Sequence, residues 1–353
     1  MKVTRELDFV IPGALETRTG GYVYDRRMVQ GLRTLGWAVN VHELDPAFPH
    51  PSADALDEAG RVFERIPSGR PVVIDGLALG GMAALAERFA SRLRLIALIH
   101  HPLALETGLE PATAERLRRC ERRGLAAACR VITTSSSTAL ALAEHGTSPE
   151  HISVVCPGTD PAPLARGTGD HRANLLCVAT LTPRKDHALL FSALAVLRDR
   201  AWRLNCVGST VRAPGTADSL RCQIDASGLR DRILLAGEVS DTALSTFYEE
   251  ADVFVLASQY EGYGMVLSEA LARGLPIVAT RAGAIPETVP ADAGLLVPAG
   301  DRGALTAALG RIMDDHRLRA RLAQGARRAR RRLPSWPESV EQFAAAVGNA
   351  GPA

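Results

Sequence analysis

The segment that decides the fold runs from Ala251 to Pro276 and reads ADVFVLASQYEGYGMVLSEALARGLP. The apolar run Val253–Leu256 predicts a buried strand, and a helix is expected from Val266 to Arg273. The turn between them carries Gly262 and Gly264. A glycine-bearing turn from strand to helix exposes backbone N–H groups at the positive end of the helix, and these groups together bind phosphate. The segment therefore predicts an α/β fold with an anion site at the end of one strand.

The same alternation of apolar runs and helical patterns extends along most of the chain, which is typical of parallel sheets covered by helices on both faces. Strands are expected near Asp8–Ile11, Ala38–His42, Val72–Asp75, Leu93–Ile99, Arg130–Thr133, Ile152–Val155, Asn174–Ala179, Arg203–Val207, Ile233–Ala236, Val253–Leu256, Pro276–Ala279 and Gly294–Val297. Helices are expected near Gly21–Leu35, Gly80–Ser91, Pro111–Ala128, Ser136–Glu144, His187–Arg200, Ala217–Ser227, Thr242–Glu250, Val266–Arg273, Arg302–Arg311 and Leu318–Arg332.

A chain of 353 residues is longer than a single hydrophobic core usually accommodates, so two domains are expected. The predicted domain boundary lies at Cys156–Pro163 and Gly167–Gly169, where prolines and glycines interrupt the periodic pattern. We expect an N-terminal domain over residues 1–157 and a C-terminal domain over residues 158–337. Both are predicted to be Rossmann-like, with a cleft between them.

The end of the chain carries a separate signal. The segment LPSWP at residues 333–337 predicts a sharp redirection before a last helix, Glu338–Val347. Apolar residues fall on one face of that helix. We expect residues 338–353 to return to the N-terminal domain. The alternative is a helix that simply covers its own domain.

Composition excludes several classes of protein. Hydrophobic residues make up 46% of the chain and charged residues 23%, as in a folded globular protein. The net charge of +2 is too small to imply a nucleic-acid partner on its own, and none is expected. The first eight residues alternate in charge without an apolar run, and no stretch approaches the ~20 apolar residues that cross a bilayer. We therefore expect a cytoplasmic protein. The six cysteines form no C-x-x-C pair and are expected to be free thiols, not metal ligands or disulfides.

Glu261 and Glu269 are the candidate ligand-binding carboxylates. Glu261 is expected in the loop before the helix and Glu269 roughly one turn inside it, so both could reach one ligand across the helix N-terminus. Carboxylates accept hydrogen bonds from vicinal hydroxyls, which are found on a ribose or a hexose. Two glutamates eight residues apart also occur by chance in most proteins, and the spacing alone decides nothing.

The whole string is more specific, because Ala251–Pro276 resembles the E-x7-E segment of retaining glycosyltransferases of family 4. Four further segments resemble the family in the same order: CPGTD (156–160), LAGEVS (235–240), GAIPE (283–287) and GLLVP (294–298). The resemblance covers almost all of residues 154–345, while the first half agrees mainly in layout. It implies a GT-B fold, that is, two Rossmann-like, doubly wound parallel-sheet domains facing a central cleft. It further implies that the N-terminal domain takes the acceptor and the C-terminal domain takes the nucleotide-sugar donor.

The resemblance assigns roles to residues of the second half. Glu269 would bind the donor ribose, Glu261 the transferred sugar, and Lys185 the diphosphate. Lys185 and Lys2 are the only lysines in the chain, which suggests that a compact charge is wanted at Lys185. The backbone of Gly262, Tyr263, Gly264, Met265 and Val266 would follow the diphosphate and sugar, and Val239 would lie at the base.

One position departs from the family pattern. The family usually has an arginine five residues before the lysine, where this chain has Thr180. Arg184 is expected to take its place as a second contact to the phosphates.

In the first half, the resemblance implies that Gly20 and Gly21 let the backbone approach the donor phosphate. It also implies an active-site histidine after the strand Leu93–Ile99. His100 and His101 both fit, and His100 is favoured because it comes first. Asp75, at another strand end, is a candidate acceptor contact.

The implied reaction is a hexosyltransferase-type transfer from a nucleoside diphosphate sugar with retention of anomeric configuration. The leaving diphosphate can take the acceptor proton, so no general-base carboxylate is demanded. No Asp-x-Asp motif is present, which fits a mechanism without a metal. No cofactor is expected, because the nucleoside diphosphate sugar is a substrate. A UDP-sugar is favoured over GDP- and ADP-sugars, and the acceptor is a small molecule, a glycan or a lipid-linked compound.

Other functions remain as alternatives. A dehydrogenase is disfavoured because the first strand is not followed by G-x-G-x-x-G. A nucleotide-sugar epimerase or a phosphorylase on the same fold is nearer, and a catalytically silent sugar-nucleotide-binding protein is a third class. The basic segments Arg116–Arg123 and Arg327–Arg332 are consistent with peripheral membrane contact, or with plain solvated helix faces.

Overall fold

A computed structural model describes residues 5–350 of the chain. The described chain divides into two compact units. The first consists of residues 5–158 together with 334–350, and the second of residues 159–333. Each unit is built on its own parallel sheet, covered by helices.

The sheet of the first unit contains β1 (Arg5–Pro12), β2 (Trp37–Leu44), β3 (Pro71–Asp75), β4 (Arg94–Ile99), β5 (Arg130–Thr133) and β6 (Ile152–Val154). Its helices are α1 (Gly20–Thr34), α2 (Ala53–Arg65), α3 (Gly76–Gly81), α4 (Ala83–Phe89), α5 (Pro111–Ala127) and α6 (Ser136–Glu144). The strand order is β2-β1-β3-β4-β5-β6, so the chain winds in opposite directions from β1 and β3. Ligands of such sheets bind at the carboxyl ends of the strands, where the winding direction changes.

The second unit contains β7 (Ala173–Val178), β8 (Trp202–Val207), β9 (Ile233–Gly237), β10 (Val253–Leu256), β11 (Ile277–Arg281) and β12 (Gly294–Pro298). Its helices are α7 (His187–Val196), α8 (Pro214–Ala226), α9 (Asp241–Glu250), α10 (Met265–Ala272), α11 (Ile285–Thr288), α12 (Arg302–Asp314) and α13 (His316–Ala329). The order β12-β11-β10-β7-β8-β9 places the change of direction between β7 and β10. The last helix of the described chain, α14 (Trp336–Gly348), belongs to the first unit.

The α/β class and the two doubly wound parallel sheets are confirmed, and each strand expected from the sequence is present, with its ends within three residues of expectation. The reason is burial on both faces: β7 and β10 are apolar along nearly their whole length and lie in one core.

Two helical regions of the first unit differ from expectation. Helix α2 was not predicted, because its buried face consists of Ala55, Ala59 and Gly60 with Phe63 as its one large residue. The helix expected at Gly80–Ser91 is instead the pair α3 and α4, broken at Met82. Gly80 and Gly81 lie inside close contacts, since a Cβ atom on Gly81 would stand 2.7 Å from the ring of Phe48.

Helix α14 is fixed to the first unit by aromatic packing. Phe343 is fully buried, with its ring centroid 6.5 Å from that of Phe9 and 6.3 Å from that of Tyr24. A capping box between Ser335 and Glu338 starts the helix directly after the redirection at residues 333–335.

Two further observations concern the chain as a whole. All six cysteines are free thiols. Among the helices of residues 5–350, none combines the length and the apolar character needed to cross a bilayer.

Glu121 ties α5 to the loop that follows β4. Its carboxylate is 5% exposed and accepts a hydrogen bond from the backbone N–H of Leu103 at 3.1 Å. Burial raises the pKa of Glu121 from 4.5 to about 7, and the one hydrogen bond offsets this only in part. The folded protein therefore holds Glu121 protonated under conditions where the unfolded chain ionises it.

Replacing Glu121 with Gln should make the protein more stable than wild type at pH 8. At pH 5 this gain in the free energy of unfolding should be much smaller. A raised pKa contributes stability below pH 4.5 that is lost as the pH rises through 7, on the order of 3 kcal/mol over that window. Gln keeps the acceptor oxygen and cannot ionise. Urea unfolding at the two pH values measures the difference, with the exposed Glu115→Gln on the same helix as control. An E121Q difference that does not change with pH would contradict the assignment.

Candidate active site

Two loops of the second unit meet where the sheet changes winding direction. One follows β7 and contains Arg184 and Lys185 in a short 3-10 turn, and the other follows β10 and contains Glu261. Because β7 and β10 are neighbouring parallel strands, their carboxyl ends lie side by side. Side chains separated by 76 positions in sequence are thereby brought into contact.

Glu261 and Lys185 form an ion pair that is nearly closed to solvent. The Nζ atom of Lys185 donates to Oε1 of Glu261 at 2.6 Å, and the Ser258 hydroxyl donates to the same oxygen at 2.5 Å. The side chains of Glu261 and Lys185 are 6% and 15% exposed. Burial alone would raise the pKa of Glu261, but the charges of Lys185 and Arg184 and the two hydrogen bonds hold it below its usual value. Glu261 is therefore an ionised carboxylate inside the protein.

Arg184 braces the loop that carries Glu261. Its Nη1 atom donates to the carbonyl oxygen of Tyr260 at 2.7 Å and lies 3.7 Å from Oε2 of Glu261. The backbone carbonyl of Arg184 also accepts from the N–H of Gln259 at 2.8 Å. The arginine expected to take the place of the one missing at Thr180 is thus engaged with the opposite loop.

Helix α10 begins beside this pair. Gly264 precedes its first residue with φ of +82°, a conformation that favours glycine, and no side chain caps the helix. The first N–H groups of a helix have no acceptor within it, so those of Met265 and Val266 face outward at the positive end.

Glu269 lies one turn inside α10. The hydroxyl of Tyr248, from α9, donates to its Oε2 atom at 2.8 Å. Burial raises the pKa of Glu269, while the Tyr248 hydrogen bond and the charge of Arg273 act against it. Val239 is half-buried in the loop between β9 and α9 and packs on the core of this unit.

A second cluster lies in the first unit, where β1 and β3 diverge in winding. Gly20 and Gly21 open α1, Asp75 ends β3, and His100 follows β4. The Nε2 atom of His100 lies 3.0 Å from Oδ1 of Asp25 and 3.4 Å from Oδ2 of Asp75. A Cβ atom on Gly21 would stand 3.1 Å from the His100 ring, so glycine leaves room for it.

His101 faces elsewhere. Its Nε2 atom lies 3.3 Å from Oε2 of Glu106, beyond the short turn at Leu103–Leu105. The two adjacent histidines that the sequence could not separate therefore have different surroundings. Of the two histidines, His100 is the one that joins the glycine pair and the carboxylates of Asp25 and Asp75.

Asp75 is buried, with 4% of its surface exposed. Its Oδ1 atom accepts the backbone N–H of Leu77 at 2.8 Å and starts α3. Burial and the neighbouring Asp25 raise the pKa of Asp75 to about 7, against the effect of His100.

Comparisons with known proteins agree with this arrangement. The family described as "Glycosyl transferases group 1" matches residues 165–329, and "Glycosyltransferase Family 4" matches residues 19–163. The chain is 31% identical over 316 residues to the MMP alpha-(1->4)-mannosyltransferase of Mycolicibacterium hassiacum, covering 84% of this chain and 75% of that one. The chain belongs to glycosyltransferase family 4.

Other family members and solved structures extend the comparison. A D-inositol 3-phosphate glycosyltransferase of Thermomonospora curvata is 30% identical over 265 residues, 68% of this chain and 61% of its own length. Sucrose-phosphate synthase from Thermosynechococcus elongatus superposes with a TM-score of 0.81 at 20% identity, covering 97% and 98% of the two chains. Anabaena HepE in complex with UDP-glucose superposes with a TM-score of 0.78 at 18% identity, covering 97% of this chain and 99% of HepE. The protein is a glycosyltransferase of hexosyltransferase type with the GT-B fold.

Three residues that complete these clusters were not found by sequence reasoning. Asp25 carried a usable signal, because it lies on the buried face of α1 beside Tyr24, Met28 and Val29. An acidic residue on an apolar helix face implies a buried partner. Ser258 and Tyr248 carried none, since isolated hydroxyls in a loop or on a helix are common.

One group of sulfur and nitrogen donors lies outside the glycosyltransferase site residues. Cys177 and Cys206 are opposite each other on β7 and β8, and the donor atoms of both lie within 4.8 Å of one another and of His187. Thiols and an imidazole form a set that soft metal ions prefer. All three side chains are buried.

The Lys185–Glu261 pair should show strong energetic coupling in a double-mutant cycle. In the wild-type background, Lys185→Ala leaves the buried carboxylate of Glu261 to Ser258 and Arg184. In the Glu261→Gln background the same change removes a cation that no longer has a carboxylate partner, so it should cost less. We expect a coupling of about 1–3 kcal/mol in the free energy of unfolding, measured with urea.

The exposed pair Arg328–Asp292, at 2.7 Å with side chains 59% and 54% exposed, provides the matched control. Its cycle, R328A with D292N, should give about 0–1 kcal/mol. A Lys185–Glu261 coupling no larger than this would show that the buried pair is energetically ordinary.

Proposed function

We propose that this glycosyltransferase moves a hexose from a nucleoside diphosphate sugar, with a UDP-sugar favoured, to a hydroxyl acceptor with retention and without a metal. The observation that carries the proposal is the closed Lys185–Glu261 pair beside the uncapped start of α10. One cation, one anion and a set of backbone N–H groups lie together at a strand end where α/β sheets bind ligands.

The charges of this pair match the two halves of a sugar diphosphate. The diphosphate would take the Lys185 ammonium and the N–H groups of residues 262–266, which are suited to anions. The sugar hydroxyls would donate to Glu261, which is kept ionised by its surroundings. Donor binding therefore exchanges an internal ion pair for two contacts to one ligand.

Glu269 is proposed to bind the ribose. Tyr248 holds its Oε2 atom, which fixes the carboxylate plane and leaves Oε1 for vicinal hydroxyls. Val239 is proposed to lie against the base.

In the first unit, we propose that His100 donates to an oxygen of the transferred sugar. The backbone at Gly20 and Gly21 is proposed to lie along the donor phosphate. His101, which faces Glu106, is given no role in this proposal.

The proposed reaction requires the protein to stabilise the charges that develop in the transition state. As the bond between the sugar and the diphosphate breaks, positive charge develops on the sugar ring and negative charge on the leaving oxygen. The leaving oxygen can take the acceptor proton while Lys185 and the α10 N-terminus stabilise its charge. The absence of an Asp-x-Asp motif supports a role for these groups in place of a metal ion.

The acceptor is proposed from the relatives' names, which specify a mannosyltransferase and an inositol 3-phosphate glycosyltransferase. A small hydroxylated compound or a glycan is favoured.

Exposed acidic residues neutralise part of the basic segments, as in Arg118–Glu115, Arg123–Glu87 and Arg328–Asp292. Such pairing favours solvated helix faces over peripheral membrane contact, and the enzyme is proposed to be cytoplasmic.

The proposed function is tested by ligand-induced thermal shifts followed by turnover. UDP at 100 times its dissociation constant should raise the free energy of unfolding by about 2.7 kcal/mol over the ligand-free protein, and GDP or ADP at the same concentration should raise it less. Turnover is the acceptor-dependent release of nucleoside diphosphate, with a short mannoside and inositol 3-phosphate as acceptor probes. Lys185→Ala should lower kcat by about 10²–10³. The exposed cation Arg166 provides the control variant R166A.

Three results would count against this function. Near-normal turnover of K185A would remove Lys185 from the mechanism. Binding of UDP-sugars without acceptor-dependent release would favour a silent binding protein. An inverted anomer in the product, read by proton NMR, would contradict retention.

Glu269→Ala and Glu261→Ala should have opposite effects on binding of the free nucleotide. E269A should weaken binding of UDP itself, because the ribose contact is lost. E261A should bind UDP at least as tightly as wild type, because Lys185 is released to the diphosphate, but should bind the intact UDP-sugar more weakly. Calorimetry with both ligands measures this, and equal losses in both variants would contradict the division of roles.

A further inference from the structure

The first unit buries more charge around His100 than a hydrogen bond to a sugar requires. Asp25 and Asp75 are 1% and 4% exposed, and both carboxylates approach the same ring nitrogen. Taking a carboxylate out of water is costly unless it is paired. The arrangement therefore needs a reason beyond packing.

We propose that Asp25 is a positioning residue that locks the His100 ring with Nε2–H directed inward, so that Nδ1 is the nitrogen presented to the sugar. This inference rests on the proposed contact between His100 and the donor. It assigns a role to a helix residue that touches no substrate.

The position of Asp25 on α1 supports the proposal. Tyr24, Met28 and Val29 share its buried helix face, and an unpaired carboxylate there would be destabilising. The Nε2 atom of His100, at 3.0 Å, is the partner that the structure gives it. A carboxylate accepts and cannot donate when ionised, so Nε2 must carry the proton.

The walls around the ring support a single orientation. The Tyr24 ring meets the His100 ring edge-on, at 5.5 Å between centroids and 80° between planes. Gly21, on the same helix, also lies close to the ring, since a Cβ atom there would fall 3.1 Å from the imidazole. The ring thus has little room to turn Nε2 outward.

Asp75 has a separate part in the cluster. It lies farther from Nε2, at 3.4 Å, and its other oxygen starts α3. Burial and Asp25 raise its pKa to about 7, so near neutral pH a much larger share of it is protonated than of an ordinary aspartate. Burial alone would lower the pKa of His100, but Asp25, and to a lesser degree Asp75, raise it.

The titratable groups that face the His100 ring within residues 5–350 are therefore Asp25 and Tyr24 from α1 and Asp75 from the end of β3. Their net effect favours an imidazolium, which donates from both nitrogens. An imidazolium presents Nδ1–H to a sugar oxygen or a leaving-group oxygen, where negative charge develops.

The test is nitrogen-15 NMR of the imidazoles together with kinetics, using the full chain and the near-isosteric variant Asp25→Asn. The His100 signal is assigned as the one lost in His100→Gln. We expect wild-type His100 to titrate above the usual range and, once neutral, to keep its proton on Nε2. In D25N its titration should move to lower pH.

The kinetic readout separates positioning from folding. In D25N, kcat should fall by about 10–100-fold, the size seen when the hydrogen-bonding partner that orients a metal-ligating histidine is lost, while KM changes far less. The alkaline limb of kcat/KM should move to lower pH with the imidazole. Gln30→Ala, at an exposed position of the same helix, is the control and should match wild type.

The outcomes distinguish this inference from the proposed function. Full activity in H100Q would overturn the proposed role of His100, while the NMR titration would still report on the Asp25 contact. A D25N protein with wild-type titration and wild-type kcat would overturn the inference. If D25N does not fold, the wild-type spectrum decides, and a neutral-form proton on Nδ1 overturns it.

Discussion

The ion pair between Lys185 and Glu261 is the interaction on which the proposed donor site depends. Glu261 can be ionised inside the protein only because a cation and a hydroxyl lie within hydrogen-bond distance of it. The same requirement governs the first unit, where Asp25 is buried against His100. In each unit a charged group is kept away from water, and in each the partner comes from a distant part of the sequence.

Strand topology is what brings these partners together. In both sheets the winding direction changes between neighbouring strands, β1 and β3 in one and β7 and β10 in the other. The loops leaving such neighbours diverge to opposite faces and open a crevice at the strand ends. Apolar strands thus provide the rigid frame, and the loops carry the chemistry.

The parts of the structure that depend on local pattern could be predicted from sequence. Strand β7 is recognisable because burial on both faces demands the run Leu175-Leu176-Cys177. Helix α2 could not be, since its small buried residues give little apolar signal. At the site, Glu261 and Lys185 were found separately through the family resemblance, but their contact with each other was not. Such pairing depends on strand order, which no local window contains. The bond from Arg184 to the Tyr260 carbonyl was missed for the same reason.

The position of α14 has a consequence for the order in which the chain can fold. The second unit is one continuous stretch, residues 159–333, inserted between the two parts of the first. During synthesis its core can be completed as soon as that stretch has left the ribosome. The first unit must wait, because Phe343 fills the space beside Phe9 and Tyr24 and is made after everything else that surrounds it. Until then an apolar surface on β1 and α1 stays open to water. The half of the enzyme that is translated first is therefore the half that is finished last.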